Sequence, residues 1–208
     1  VAGNDGTAIG TPAISPDGTQ LAYLAVTQPL ATFGRTALML MDLKSGRTRE
    51  IARGFDATLI RLDWTADGRT LLAAGGERGQ QPLFRIEPAT GKVDHLTSDG
   101  TVSDFASARG ATVYVRDDLG SPQQLFVLQG AGPVRQLTRT GAATLAEAPM
   151  SSFEQFNFAG WNGETVYGYV MKPAGFVEGR KYPVAFLIHG GPHGSFGNAW
   201  SYRWNSQV

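Results

Sequence analysis

Ser15-Pro16-Asp17-Gly18-Thr19-Gln20-Leu21-Ala22-Tyr23-Leu24 and Thr65-Ala66-Asp67-Gly68-Arg69-Thr70-Leu71-Leu72-Ala73 are two copies of one pattern. Each joins an Asp-Gly step to an apolar run, which reads as a tight turn entering a strand. Asp-Gly suits such a turn because its glycine can hold the positive φ the turn demands. A degenerate third copy is Ser107-Ala108-Arg109-Gly110, followed by Ala111-Thr112-Val113-Tyr114-Val115. Gly18, Gly68 and Gly110 stand 50 and 42 residues apart, near the length of one propeller blade.

A second element recurs in phase with the first. Leu38 to Leu43 turns at Lys44-Ser45-Gly46 and returns through Arg49 to Ala52. Leu83 to Glu87 turns at Ala89-Thr90-Gly91 and returns to His95-Leu96-Thr97. Leu125 to Leu128 turns at Gly130-Ala131-Gly132 and returns to Gln136-Leu137-Thr138. Each unit is therefore strand, turn, strand, loop and hairpin. A generic β-sandwich with coincidental turns is disfavoured because two signatures keep the same phase. About three blades are fewer than the roughly four to eight that close a ring, and the open sides would leave bare edges. The expectation is an incomplete propeller within a longer chain.

Composition agrees with many short strands. The 208 residues are 42% hydrophobic and 17% charged, with 27 glycines and 11 prolines supplying turns. Formal net charge is zero, and no basic cluster interleaved with aromatics suggests a nucleic-acid partner. No apolar run approaches the roughly 18 residues of a membrane span. With no cysteine, disulfides and thiolate metal sites are excluded. That absence is compatible with either a reducing or an oxidising compartment; a bacterial periplasm is favoured over the cytoplasm. Val1-Ala2-Gly3-Asn4-Asp5 is neither a signal peptide nor a start methionine, which suggests processing, proteolysis or a start within a longer chain.

Residues 1–141 are thus assigned to propeller blades and 142–152, a small-residue stretch without clear period, to a linker. From 153 the character changes. Phe153 to Trp161, Asn162-Gly163, and Glu164 to Met171 read as a hairpin, since Asn-Gly between alternating apolar segments is a strong hairpin signal. Pro183 then opens Val184-Ala185-Phe186-Leu187-Ile188, a continuous apolar run of the kind buried on both faces of an α/β sheet. Residues 153–208 are expected to begin an α/β-hydrolase domain. The fold class expected is mostly β: a partial β-propeller followed by N-terminal strands of that domain.

The turn at the end of the run is His189-Gly190-Gly191-Pro192-His193-Gly194. Carboxyl ends of strands in α/β sheets are where ligands bind. Paired glycines bring bare N–H groups near a ligand, and Pro192 stiffens the turn. Such donors can form an oxyanion hole, where losing one costs about 100- to 1,000-fold in rate. The alternative is an ordinary strand-to-loop turn. His189 and His193 stand four apart, but Gly-Gly-Pro between them forbids the helix that metal ligation at that spacing needs, so no metal site is expected. No cofactor is expected either. His189 is assigned a supporting role through hydrogen bonds, and His95, in a blade hairpin, a structural one. Ser195 lacks the Gly-x-Ser-x-Gly setting of a nucleophile elbow, and no other segment supplies it. Phe196, Trp200, Tyr202 and Trp204 follow the turn. Phe196 and Trp200 are candidates for the wall of a substrate pocket, although packing of this loop against the next sheet strand is preferred.

Together these features resemble the prolyl oligopeptidase family of serine peptidases, and within it the acylaminoacyl-peptidase and bacterial dipeptidyl-aminopeptidase branch. The resemblance spans essentially the whole chain and is most specific at Phe158 to Glu164 and Tyr182 to Gly197. It implies a propeller gating an α/β-hydrolase domain, a Ser-His-Asp triad beyond the chain, and short peptides as substrates. It also implies that Gly191 gives its backbone N–H to the oxyanion, with Gly190 shaping the turn. The partners expected are a short peptide and the remainder of the same protein, with no nucleic acid and no membrane; oligomer formation stays open. Acidic residues capture the free amino terminus in members that take dipeptides, a role not assignable to Glu77, Glu147 or Glu154. Two other readings stand beside the peptidase. One is a non-catalytic propeller scaffold that binds peptides or proteins. The other is an esterase, against which Pro192 and the attached propeller both argue.

Overall fold

The computed structural model describes residues 8–26, 34–191 and 194–207. The first four strands, β1 (Ala8–Ile14), β2 (Gln20–Val26), β3 (Thr36–Asp42) and β4 (Thr48–Ile51), form an antiparallel meander in chain order. A second meander follows in β5 (Thr58–Trp64), β6 (Leu71–Gly76), β7 (Leu83–Ile86) and β8 (Val93–His95). The third comprises β9 (Thr101–Ala108), β10 (Ala111–Asp118), β11 (Ser121–Gln129) and β12 (Arg135–Gln136). These are the three expected blades, and the fold is mostly β.

The repeated turn has a repeated physical cause. In the first copy Asp17 Oδ1 accepts from Ser15 Oγ at 2.6 Å and from Thr19 N at 3.0 Å, while Gln20 N donates to Ser15 Oγ at 2.9 Å. In the second, Asp67 Oδ1 accepts from Thr65 Oγ1 at 2.7 Å and Arg69 N at 3.1 Å, and Thr70 N donates to Thr65 Oγ1 at 3.2 Å. The hydroxyl two residues before the Asp is thus as much a part of the pattern as the Asp. Gly18 and Gly68 take φ of 71° and 68°, a region that favours glycine. Hydrogen bonds led by Ser15 and Thr65 hold both carboxyls below their ordinary range. The degenerate copy dispenses with the carboxylate and turns directly at Arg109 and Gly110, both at positive φ.

Blades stack face to face. Leu71 and Ala73 of β6 join Leu24, Leu38 and Leu40 of the first blade in one core. The alternate residues Leu72 and Ala74 join Val102, Phe105, Tyr114 and Phe126 of the third. Because side chains alternate along a strand, β6 is buried on both faces, and the second blade is the middle layer. Phe84 pairs across the sheet with Ala73, so a ring stands over a methyl, and it meets Phe55 and His95 edge-to-face at 4.9 Å each. Polar ties reinforce the stack. Trp64 Nε1 donates to Ala13 O at 3.0 Å, and Arg61 reaches Asp104 at 3.0 Å.

Beyond the blades, the stretch read as an irregular linker contains a short helix, α1 (Ala142–Glu147). The expected hairpin is present as β13 (Phe153–Ala159) and β14 (Thr165–Met171), turning through Asn162 and Gly163 at positive φ. The run at Val184–Ile188 departs from expectation: it pairs with no strand, and Val184 and Phe186 are 89% and 82% exposed. Burial on both faces requires a neighbour at each strand edge and a layer on each side, which the described residues do not supply. No helix among the described residues is long and apolar enough to cross a membrane.

Phe84 is fully buried, whereas Ile14 on β1 is 62% exposed. Phe84→Ala is expected to lower stability by about 3–5 kcal/mol and Ile14→Ala by less than about 0.5 kcal/mol in urea denaturation. Equal effects would contradict the placement of the core between the first two blades.

Candidate functional site

The glycine turn lies at the end of the exposed run. Gly191 adopts φ of +77°, while a Cβ built on Gly190 or Gly191 would meet no heavy atom within 4 Å. At Gly191 the backbone conformation, not crowding, calls for glycine. The surrounding space is open for a ligand to approach the peptide groups. His189 is half-buried, with Nδ1 3.4 Å from Gly190 O and its ring 6.2 Å from that of Phe196, edge to face. Gly194 N donates to Gly191 O at 3.5 Å. Pro192, assigned to stiffen the turn, and His193 lie outside the described residues. Among the described residues no three His, Cys, Asp or Glu side chains gather as a metal-binding group.

The loop that follows is anchored to the propeller. Asn198 is 3% exposed, and its amide is used at both ends. Oδ1 accepts from Leu119 N at 3.0 Å, and Nδ2 donates to Gln80 Oε1 at 3.0 Å. The Asn198 backbone N–H donates to Gly79 O at 2.7 Å, and its carbonyl accepts from Thr101 Oγ1 at 2.8 Å. Two residues on, Trp200 N donates to Asp117 Oδ1 at 2.8 Å. Burial raises the Asp117 carboxyl above its ordinary range, and the bond from Trp200 opposes that rise.

The two aromatic residues proposed to share a pocket wall are therefore in different settings. Phe196 is 57% exposed beside His189. Trp200 is half-buried against the third blade, with its indole Nε1 enclosed. The packing expectation for this loop also changes its partner: the loop lies on the junction of the second and third blades, not on a strand of a further sheet.

Opposite the loop is the tip of the β6–β7 hairpin, which sequence reasoning did not single out. Glu77 and Gln80 exchange backbone hydrogen bonds at 2.9 Å, and Arg78 and Gly79 between them hold φ of 51° and 76°. That is a tight two-residue turn with outward-facing carbonyls. Arg78 O accepts from Gln155 Nε2 of β13 at 2.6 Å. Gly79 O accepts from Tyr169 Oη of β14 at 3.0 Å in addition to Asn198 N. A cavity of about 540 Å³ adjoins the tip, with Asp56, Glu77, Arg78 and Tyr167 in its wall. Glu77, the acidic residue there that sequence reasoning had left without a role, is engaged by His95 Nε2 at 2.7 Å. Glu154 faces Lys172 at 3.6 Å instead, and Glu147 closes α1. The signal for the tip was the Arg78-Gly79 step between two apolar strands, weaker than Asn-Gly because arginine enters positive φ reluctantly.

Stacked four-stranded meanders whose rim holds a separate hairpin define a set of propeller blades. Comparison with known proteins sharpens this class. No family model matches the chain. Among curated proteins, the chain is 32% identical over 207 residues to a probable dipeptidyl-peptidase 5 of Emericella nidulans, covering 95% of the chain and 28% of that protein. It is 27% identical over 205 residues to dipeptidyl-peptidase 5 of Schizosaccharomyces pombe, covering 97% of the chain and 30% of the relative. Among solved structures, the Pyrococcus horikoshii acylaminoacyl peptidase superposes with a TM-score of 0.70 at 20% identity, over 91% of this chain and 29% of that one. The chain spans less than a third of the length of these relatives. The chain is thus similar to a part of each of these proteins, whose names mark them as peptidases.

Burial pushes the Tyr169 phenol from 10.0 up to about 12. A phenol with a raised folded-state pKa adds stability that is complete below the unfolded value and is lost as pH rises through the folded one. The hydroxyl should therefore keep donating to Gly79 O at neutral pH, and its stabilisation should fade between pH 10.0 and about 12. Difference absorbance between the native chain and Tyr169→Phe, followed through alkaline titration, should show one tyrosinate appearing late. A tyrosinate appearing near pH 10 would contradict the burial of this group.

Proposed function

We propose that the protein carrying this chain is a serine peptidase that cleaves short peptides, releasing dipeptides or blocked residues by acyl transfer. The observation that carries the reading is a left-handed Gly191 in an open turn, attached to propeller blades in a relative of dipeptidyl-peptidases. In this reading a serine hydroxyl attacks the scissile carbonyl carbon as its proton passes to a histidine. The carbonyl π pair moves to oxygen, and the Gly191 N–H donates to the resulting oxyanion. Collapse of the intermediate expels the amine, which takes the proton from the histidine. Water then releases the acyl group by the same steps.

No Gly-x-Ser-x-Gly occurs in the chain, so the nucleophile and its base are assigned to residues outside it. Residues 1–141 act as the gate, 142–152 as the connection and 153–208 as the opening of the α/β-hydrolase domain. Val184–Ile188, exposed among the described residues, takes its place in the sheet of that domain, beside strands contributed by the remainder of the protein. Gly190 shapes the turn, and His189 orients it through contacts with Gly190 O and the Phe196 ring. Phe196, exposed beside the turn, is positioned to contact substrate, whereas Trp200 serves the docking of the loop.

The full-length protein should react with a fluorophosphonate serine probe and hydrolyse peptides in preference to the corresponding esters. Gly191→Val, which forces a branched side chain onto a positive φ and displaces the N–H, should lower kcat by about 100- to 1,000-fold. A protein that resists the probe would favour a non-catalytic peptide-binding propeller. One that prefers esters would favour an esterase.

A further inference from the structure

Two segments far apart in sequence meet at Asn198. One is the loop that starts at the glycine turn; the other is the rim of the propeller, contributed by the β6–β7 tip and the β10–β11 turn. Gly197 brings the two backbones together without a side chain, since a Cβ there would stand 2.9 Å from Gly79 O. Asn198 then satisfies its own polar atoms wholly on the propeller: Leu119 N and Gln80 Oε1 with the side chain, Gly79 O and Thr101 Oγ1 with the backbone. Gln80 is built to receive it, because Oε1 accepts from Gly100 N at 2.9 Å as well as from Asn198 Nδ2. Asn198 lies seven positions after Gly191. The glycine turn itself, exposed and with open space about both glycines, has few contacts of its own.

We infer that Asn198 is a positioning residue. Its amide, held between Gln80 and Leu119, fixes the loop that carries the Gly191 N–H, so that the propeller sets the geometry of the oxyanion site as well as access to it. This rests on the peptidase reading given above. The role needs no charge and no proton transfer: a buried primary amide matches one acceptor and one donor at once, which alanine, aspartate and leucine do not. An Asn198 amide deprived of either partner would be buried and unsatisfied, so the loop is held in one register and not merely attracted to the rim.

The test uses the full-length protein and three variants. Asn198→Ala removes both side-chain bonds, and Gln80→Ala removes one from a residue in the propeller. Gln80→Glu keeps an acceptor for both Gly100 N and Asn198 Nδ2. The first two should lower kcat for a short peptide by about 10- to 100-fold with KM within about twofold, the loss produced by a small misplacement of a preorganised group. Gln80→Glu should retain most of the wild-type kcat. End-point fluorophosphonate labelling, which reports that a nucleophilic serine is present, should persist in all three. Where Asn198→Ala fails to fold, Gln80→Ala decides. Wild-type kcat in Gln80→Ala or in folded Asn198→Ala, even with a lowered Tm, would overturn the positioning role and leave the peptidase reading standing. A wild-type protein that neither labels nor turns over would overturn both.

Discussion

The second blade is buried on both of its faces, and the position of everything else follows from that. A strand that is apolar on one side can lie at the surface, but β6 presents Leu71 and Ala73 to one neighbour and Leu72 and Ala74 to the other. Neither set can be left in water cheaply, at about 25 cal/mol per Å² of apolar surface, so both flanking blades are required. The alanines admit close approach, and Phe84 fills the volume they leave by standing over Ala73. Once three blades are stacked in this way, the β6–β7 connection has one direction in which to project. Its tip emerges at the rim, where the chain returns after residue 153.

That tip works through its carbonyls. A two-residue turn with both φ values positive directs peptide oxygens outward, and oxygens covered by protein need donors. Gln155, Tyr169 and Asn198 supply them from three separate segments of the later chain. All three donors are neutral, so the junction is insensitive to salt in a way that ion pairs are not. A second tie has the same character: the Gln207 side-chain amide accepts from Ser151 N at 2.9 Å and donates to Ser151 O at 3.1 Å and Leu119 O at 3.3 Å. Leu119 thereby engages Asn198 through its N–H and Gln207 through its carbonyl, which locks the β10–β11 turn to both ends of the returning loop.

Local chemistry makes part of this architecture legible in the sequence. Asp-Gly and Asn162-Gly163 declare themselves because the conformation they allow is fixed within four residues, and the first two blades and the late hairpin are legible on that basis, whereas the third, turning at Arg109-Gly110, is legible through its phase with the other two. The partner roles of Ser15 and Thr65 within the turn were visible only as a recurrence of hydroxyl residues. Asn198 carried no such mark. Its meaning lies in Gln80, 118 residues away, and Leu119, 79 residues away, and one asparagine in a glycine-rich loop reads the same whether it is free or fully bonded. Phe196 and Trp200 could not be separated for the same reason, since hydrophobicity is a property of the residue and exposure a property of its neighbours. The run at Val184–Ile188 shows the converse: five apolar residues encode a demand for burial, and composition cannot say which segments meet it.

A glycine turn that is to present a backbone N–H faces a conflict between access and order. Under the proposed peptidase reading, side chains that would hold it from within would also occupy the space a substrate needs, and the open surroundings of Gly190 and Gly191 are consistent with access. Order must then come from the flanks. On the amino side, His189 offers one long contact to Gly190 O and an edge-to-face ring contact. On the carboxyl side, Asn198 and Trp200 offer five hydrogen bonds onto the propeller, one involving a buried carboxylate that can accept most strongly when ionised. Five bonds at about 1 kcal/mol each outweigh the flexibility of a loop of this length, whose closure cost grows only slowly with residue number. The restraint on the turn thus resides in the blades, and a shift of the rim between the second and third would reach the turn before it reached the rest of the later chain.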